Sequence, residues 1–76
     1  MLQLPMHIMK QSGTTKQVMV ETKNGDSYDG ILEAIDSFMN VKLTTVVITS
    51  EGGEKFSKCP ECFIRGNNIK SIQFDQ

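Results

Sequence analysis

The stretch Met39-Asn40-Val41-Lys42-Leu43-Thr44-Thr45-Val46-Val47-Ile48 sets Met39, Val41 and Leu43 on one parity of an extended chain, and Val46 and Ile48 on the other. Successive side chains of a strand point to opposite faces, so a flat, half-buried strand keeps its apolar residues on one parity throughout. The switch after Leu43 calls for a strand over about 39–50 that is sharply bent or buried on both sides. Bending of this kind is how a few strands close into a small barrel.

The flanking sequence supplies the rest of such a barrel. Upstream, Ser27 to Ile35 reads as a strand with Gly30 in its middle, where a glycine marks a bend or a close backbone approach. Before it, Val18 and Val20 alternate with Met19 and Glu21, and Asn24-Gly25 follows. That dipeptide favours the positive backbone angles of a tight hairpin, so residues 17–23 are expected to pair with 26–35. Downstream, Gly52-Gly53 marks another reversal and leads to a fourth strand over about Lys55–Ile64. Pro60 cannot donate to a ladder, which places that part of the strand at an edge or a bulge. Arg65 to Asn68 turns again, and Ile69, Ile72 and Phe74 supply a last short strand. At the other end, Leu4, Pro5, Ile8 and Met9 followed by Gly13 read as a one-sided helix of about two turns, too short to stand alone. The expectation is all-β: a short N-terminal α-helix followed by a five-stranded, strongly bent antiparallel small barrel.

The 76 residues are expected to form one domain over 1–76. A core this small supplies roughly 3–5 kcal/mol, so a staple, a metal or association with other subunits is a fair physical expectation. Eight Lys and Arg against nine Asp and Glu give a net charge of −1, which argues against gripping duplex phosphates by bulk charge. Any nucleic-acid affinity must come from local geometry or from repetition of one site. Two cysteines without a leader-like segment fit a reducing compartment, and Met1 to Met9 is too short and too interrupted for a signal core or a membrane span. The expectation is a soluble, intracellular protein.

Two reversals carry side chains suited to unpaired bases. Asp36-Ser37-Phe38-Met39-Asn40 offers a carboxylate that can accept from backbone or amide, an aromatic face, and an amide with both a donor and an acceptor. Ile64-Arg65-Gly66-Asn67-Asn68 offers a guanidinium that stacks on bases, a glycine that lets the backbone approach a ligand, and further amides. Stacking and edge recognition are how proteins hold single-stranded RNA. Each stretch also has a plainer reading: a hairpin turn with Phe38 tucked inward and Asn40 bonded within its own loop, and a surface arginine before a Gly-Asn turn. The pair gains meaning if a small barrel brings both to one end.

Asn24-Gly25, Tyr28-Asp29-Gly30, Asp36 to Asn40, and Ile64-Arg65-Gly66-Asn67-Asn68-Ile69 resemble the two-part signature of the Sm and Sm-like family. The resemblance covers nearly the whole chain, from the leading helix to Phe74. Within the family, Pro60 to Gly66 and Met1 to Pro5 are most similar to the fourth Sm-like paralogue. The resemblance implies the Sm fold, an SH3-like barrel, with neighbouring subunits joined through their fourth and fifth strands into a closed ring of Sm-like subunits. It also implies that Phe38 stacks on a base, Asn40 reads its edge, Arg65 packs on the other side, Asp36 steadies the loop, and Gly66 and Asn67 complete the pocket. The implied RNA is uridine-rich and single-stranded, at the 3′ ends of U6 small nuclear RNA and of messenger RNA. The implied settings are splicing and messenger decay, in nucleus and cytoplasm.

Cys59-Pro60-Glu61-Cys62 competes for attention, since a two-residue gap suits half a zinc site or a redox pair. Only His7 could join it, and residues three apart on a straight strand face opposite ways, so no metal and no cofactor is expected. No catalytic set or phosphate-binding loop is present, and an enzyme is not expected. The alternative from another class is a small barrel that binds protein without nucleic acid. A pocket shared by Phe38 and Arg65 favours RNA, and an apolar groove on the outer wall favours a peptide.

Overall fold

A period of two governs the chain from residue 16 onward, and the strands it produces wrap one core. The computed structural model describes His7, Ile8 and residues 16–74. These form β1 (His7–Ile8), β2 (Lys16–Thr22), β3 (Ser27–Ile35), β4 (Val41–Thr49), β5 (Phe56–Ile64) and β6 (Ile69–Phe74). All pairings are antiparallel, in the order β5-β4-β3-β2-β6. β1 continues the line of β2: Lys16 is opposite Leu32, and Ile8 and His7 then take Ala34 and Ile35. The helix expected near Pro5 to Gly13 lies outside the described residues, apart from the two residues of β1.

Val18 and Val20 of β2, Leu32 of β3, Val41, Leu43 and Val46 of β4, and Ile64 of β5 are buried in a single cluster. Ile69 and Ile72 of β6 pack on the same cluster, so all five long strands share it. This is the strongly bent five-stranded barrel expected from the parity switch.

The first hairpin turns at Asn24-Gly25, in a wider form than a two-residue loop. Gly25 N–H donates to Thr22 O at 2.9 Å and Thr22 N–H to Asp26 O at 2.9 Å. Among the described residues the non-glycine positive φ values belong to Met39 and Thr45, so only Gly25 (φ 97°) leaves the negative range in this turn. That is a one-residue left-handed insertion after an ordinary turn.

The bend has a local origin in the ladder between β3 and β4. Asp29 faces Val47 and Ile31 faces Thr44, so β4 carries one extra residue there. Leu32 faces Leu43 and Ala34 faces Lys42, so β3 regains it one step later. Thr45 absorbs the first insertion at φ 53°, a costly conformation for a β-branched residue that the surrounding ladder must impose. Beyond it the buried parity passes from Val41 and Leu43 to Val46. Gly30 lies against this point: a Cβ on it would come within 2.9 Å of Thr44 O and 3.2 Å of Val46 Cγ2. On the far side, Thr44 pairs with Glu61 and Val46 with Cys59, flanking Pro60, which has no N–H to give. Gly30, Thr45 and Pro60 thus mark one crease across three strands.

The crease corrects one expectation. Cys59 and Cys62, three residues apart, both pack against the core cluster rather than facing opposite ways, because β5 follows the bend of β4 between them. Both are free thiols.

β5 and β6 end the sheet order, each with one strand neighbour among the described residues. Their side chains include three of the large exposed apolar residues, Phe56, Phe63 and Phe74. Two open edges on one small domain invite further strand pairing.

Gly30→Ala tests the crease. The added methyl meets backbone rather than a yielding side-chain tip, so we expect a loss of about 1–3 kcal/mol, comparable to overpacking a core. Urea denaturation should show a lower midpoint at unchanged slope, and an unchanged midpoint would show that β3 and β4 have room at this point.

Candidate nucleic-acid interface

Residues 36–40 are folded by one carboxylate. Asp36 Oδ1 accepts from Phe38 N–H and from Asn40 N–H, each at 2.9 Å, and Asp36 Oδ2 accepts from Asn40 Nδ2 at 3.0 Å. Asp36 N–H donates to Asn40 O at 3.1 Å and Met39 N–H to Asp36 O at 3.0 Å, which closes the loop with Met39 at φ 66°. A short acidic side chain that satisfies several backbone donors is the physical reason aspartate starts such turns. With the backbone so bound, the Phe38 side chain is left 78% exposed. It is not tucked inward.

The partial burial of Asp36 raises its pKa, but the hydrogen bonds from Asn40 backbone, Asn40 side chain and Phe38 backbone outweigh this and hold it below the usual carboxylate value. The carboxylate stays ionised and is fully occupied in holding the loop.

The second loop is tied to the first. Gly66–Asn68 forms a single 3₁₀ turn after Arg65, closed by Asn68 N–H donating to Arg65 O at 3.0 Å. Gly66 N–H donates to Asn40 Oδ1 at 2.7 Å, across a separation of 26 residues. A Cβ on Gly66 would lie 2.0 Å from Phe38 O, so only glycine permits the approach. Asp36, Asn40 and Gly66 therefore share one hydrogen-bonded network, with the Phe38 carbonyl against Gly66. Arg65 adjoins this network through the chain and is exposed. Asn67 is exposed and makes no side-chain hydrogen bond among the described residues, so the structure places it beside the network rather than in it.

The arrangement presents an exposed aromatic ring, a nearby guanidinium and an amide whose orientation is fixed. Asn40 gives one N–H to an acceptor-only carboxylate and one oxygen lone pair to a donor-only N–H. A flipped amide would lose both bonds, and one N–H and one lone pair remain for a ligand.

Sequence reading missed a neighbouring feature. A cleft of about 400 Å³ beside Arg65 and Asn68 is lined by Lys23, Asn24, Tyr28 and Phe63. The first hairpin turn reaches the second loop through Lys23 N–H, which donates to Asn68 O at 2.8 Å. Nothing in the spacing of residues 23, 28 and 63 signals that convergence, since it depends on how the barrel wraps.

The sequence profile of the LSM domain matches residues 10–74. The chain belongs to the LSM-domain family. Among curated relatives, it is 47% identical to LSM complex subunit lsm4 of Schizosaccharomyces pombe over 58 residues, covering 76% of this chain and 48% of that protein. It is 41% identical to the human U6 snRNA-associated Sm-like protein LSm4 over 70 residues, covering 92% of this chain and 50% of that protein. The resemblance to the fourth Sm-like paralogue is borne out at this level. The chain spans half or less of the length of the curated relatives it matches. Among solved structures, an Sm protein of Pyrococcus abyssi in complex with a uridine heptamer is 30% identical, with a TM-score of 0.69 over 79% of this LSM domain chain and 83% of that one. A heptameric archaeal Sm protein is 27% identical, with a TM-score of 0.70 over 83% of this chain and 90% of that one.

Asp36→Asn should destabilise the chain in a pH-dependent way. The folded-state carboxyl is more acidic than in the unfolded chain, so its contribution is present in full above the unfolded value. It is lost as the pH falls through the folded value. The stability gap between wild type and Asp36→Asn in urea titrations should be widest near neutral pH and should close on acidification below about pH 4. A gap independent of pH would mean that the ionised carboxylate does not hold the loop.

Proposed function

We propose that this LSM-domain protein is a subunit of an Sm-like ring that holds uridine-rich single-stranded RNA, with Asp36, Phe38, Asn40, Arg65, Gly66 and Asn67 as its base pocket. The observation that carries the reading is the bond from Gly66 N–H to Asn40 Oδ1, which brings the aromatic and the guanidinium loops to one place. In it, Phe38 and Arg65 supply planar faces for a base, and Asn40 meets the base edge. Asp36 and Gly66 orient Asn40, and Asn67 borders the pocket.

The fixed amide supports uridine in particular. In a given stacked pose, uracil presents an acceptor at position 4 and a donor at position 3, and cytosine presents the reverse. An amide that cannot flip pairs with one order and opposes the other. The uridine heptamer bound by the P. abyssi protein is consistent with this choice.

Ring assembly is supported by the open edges. The fourth and fifth long strands, β5 and β6, sit at opposite ends of the sheet, so a head-to-tail contact can pair β5 of one subunit with β6 of the next. Repeating that contact closes a ring and removes every exposed edge. One stacked base is worth about 1–3 kcal/mol, too little for stable binding by a subunit of net charge −1. Several pockets around one lumen act as a multivalent site. The solved archaeal relative is a heptamer, and the curated relatives are an LSM complex subunit and a U6 snRNA-associated protein. By these likenesses the partners are other Sm-like subunits, and the RNA targets are the 3′ ends of U6 small nuclear RNA and of messenger RNA. The chain then serves pre-mRNA splicing in the nucleus and messenger decay in the cytoplasm. It acts by binding and not by catalysis.

The alternative, a protein-binding barrel, draws on one observation: a groove lined by Thr45, Val46, Val47, Lys58, Cys59 and Pro60 at the crease. That groove borders the β5 edge, where the ring contact falls.

In the assembled particle, Phe38→Ala and Arg65→Ala should each weaken oligouridine binding by about 1–3 kcal/mol per pocket while native mass spectrometry shows unchanged stoichiometry. Oligocytidine should bind more weakly than oligouridine of the same length. Unaltered affinity in both variants would discard the pocket.

A further inference from the structure

Phe38 and Asn40 take no part in the cleft on the other side of the Arg65–Asn68 loop. Its lining has a distinct composition: two cations (Lys23 and Arg65), two amides (Asn24 and Asn68) and two aromatic rings (Tyr28 and Phe63). The chain has nine carboxylates, and none of them lines it. Elsewhere, cations are paired off: Lys42 Nζ lies 3.2 Å from Glu61 and Lys70 Nζ 3.9 Å from Glu21. Lys23 and Arg65 have no ion-pair partner among the described residues. A local charge of +2 on a chain of net −1 is therefore left unneutralised at this one cleft.

The two aromatic rings differ in character. Tyr28 packs against the core cluster and is only partly exposed. Phe63 is 68% exposed, with Lys42 Nζ 5.8 Å from its ring centroid. The amide nitrogen of Asn24 donates to no partner among the described residues, while its oxygen accepts from Thr22 Oγ1. Free donors, free cations and aromatic walls in a cleft of about 400 Å³ match the chemistry of one nucleotide: a π-face, carbonyl acceptors and a phosphate.

The cleft also has a fixed relation to the base pocket. Lys23 N–H holds Asn68 O at 2.8 Å at one end of the loop, and Gly66 N–H holds Asn40 Oδ1 at 2.7 Å at the other. Arg65 begins the loop and lines the cleft, so one four-residue segment borders both sites.

We propose that the cleft between the Lys23-Asn24 turn and Phe63 is a second RNA subsite, which takes the nucleotide next to the one held by Phe38 and Asn40. This rests on the RNA reading above and extends it. Lys23 neutralises the phosphate, the Phe63 and Tyr28 rings face the base, Asn24 and Asn68 donate to its carbonyls, and Arg65 stands between the two nucleotides. The chain then binds RNA as a path across the loop and not as one isolated base.

The test uses decauridine and the assembled particle, with Lys23→Gln, Phe63→Leu and Phe38→Ala compared with wild type. Lys23→Gln should weaken binding several-fold and lower the slope of log affinity against log salt by about 0.7 for each subunit that carries it. Phe63→Leu should cost roughly tenfold with the slope unchanged. Ultraviolet crosslinking of bound decauridine should mark the peptide that carries Tyr28 or the one that carries Phe63. If Phe38→Ala weakens binding and neither Lys23→Gln nor Phe63→Leu does, the second subsite is wrong and the base pocket stands. If Phe38→Ala has no effect either, the RNA reading itself falls. If Lys23→Gln instead changes the subunit count in native mass spectrometry, the cleft seats a neighbouring subunit and the proposal is overturned.

Discussion

The contact between Gly66 and the 36–40 loop is the constraint on which the site depends. Gly66 N–H reaches Asn40 Oδ1 at 2.7 Å only because Gly66 has no Cβ to strike the Phe38 carbonyl. That single bond converts two unrelated reversals into one surface. It also fixes the amide of Asn40 from one side while Asp36 fixes it from the other, so the chain bears the cost of ordering this side chain in folding and not in binding. Phe38 is left exposed by the same arrangement, since its backbone is bound and its side chain has nowhere to pack. An apolar ring held in water by a rigid loop is a cost that a ligand can relieve.

The bent sheet is what carries the two loops to a common end. Without the extra residue at Thr45, Val46 would turn away from Val41 and Leu43, and β4 could not serve both halves of the core. The crease at Gly30, Thr45 and Pro60 wraps β5 around so that its last residue, Ile64, is buried opposite Val41. Arg65 follows directly, so the position of the guanidinium loop is set by the burial of the residue before it. The bend that makes a small core possible therefore also places the site. The same bend leaves β5 and β6 unpaired on their outer sides, and a domain this small gains most by having those edges covered.

Much of this was legible in the residues themselves. The parity switch after Leu43 announced the bend, Gly30 its close approach, and Pro60 the edge position of β5, because each is a steric statement that holds in any fold containing a strand there. The sequence alone could not decide between an inward and an outward Phe38, since both conformations suit a five-residue reversal. The hydrogen bonds of Asp36 decide it. The wrong expectation for Cys59 and Cys62 has a physical cause: alternation holds on a straight strand, and here a crease falls between the two thiols. Asn24-Gly25 turned the chain as expected, yet only the glycine uses a positive φ, because the loop takes one residue more than the tightest hairpin.

The charge of the chain gains sense only after folding. A net charge of −1 spread evenly would repel a polyanion weakly and bind it not at all. The structure does not spread it evenly: Lys42 and Lys70 are partnered by Glu61 and Glu21 in the sheet, and Asp36 is consumed by its own loop. What remains unpaired near the site is Arg65 and Lys23, which the Lys23 N–H to Asn68 O bond draws to the same rim. Sorting by pairing leaves a small positive field where the aromatic side chains are, while the molecule as a whole stays close to neutral. A subunit built in this way can crowd against identical or related neighbours without strong mutual repulsion and still meet a phosphate chain at one edge. Close packing of subunits and attraction of RNA make opposite demands on total charge, and local pairing of the spare carboxylates and amines satisfies both.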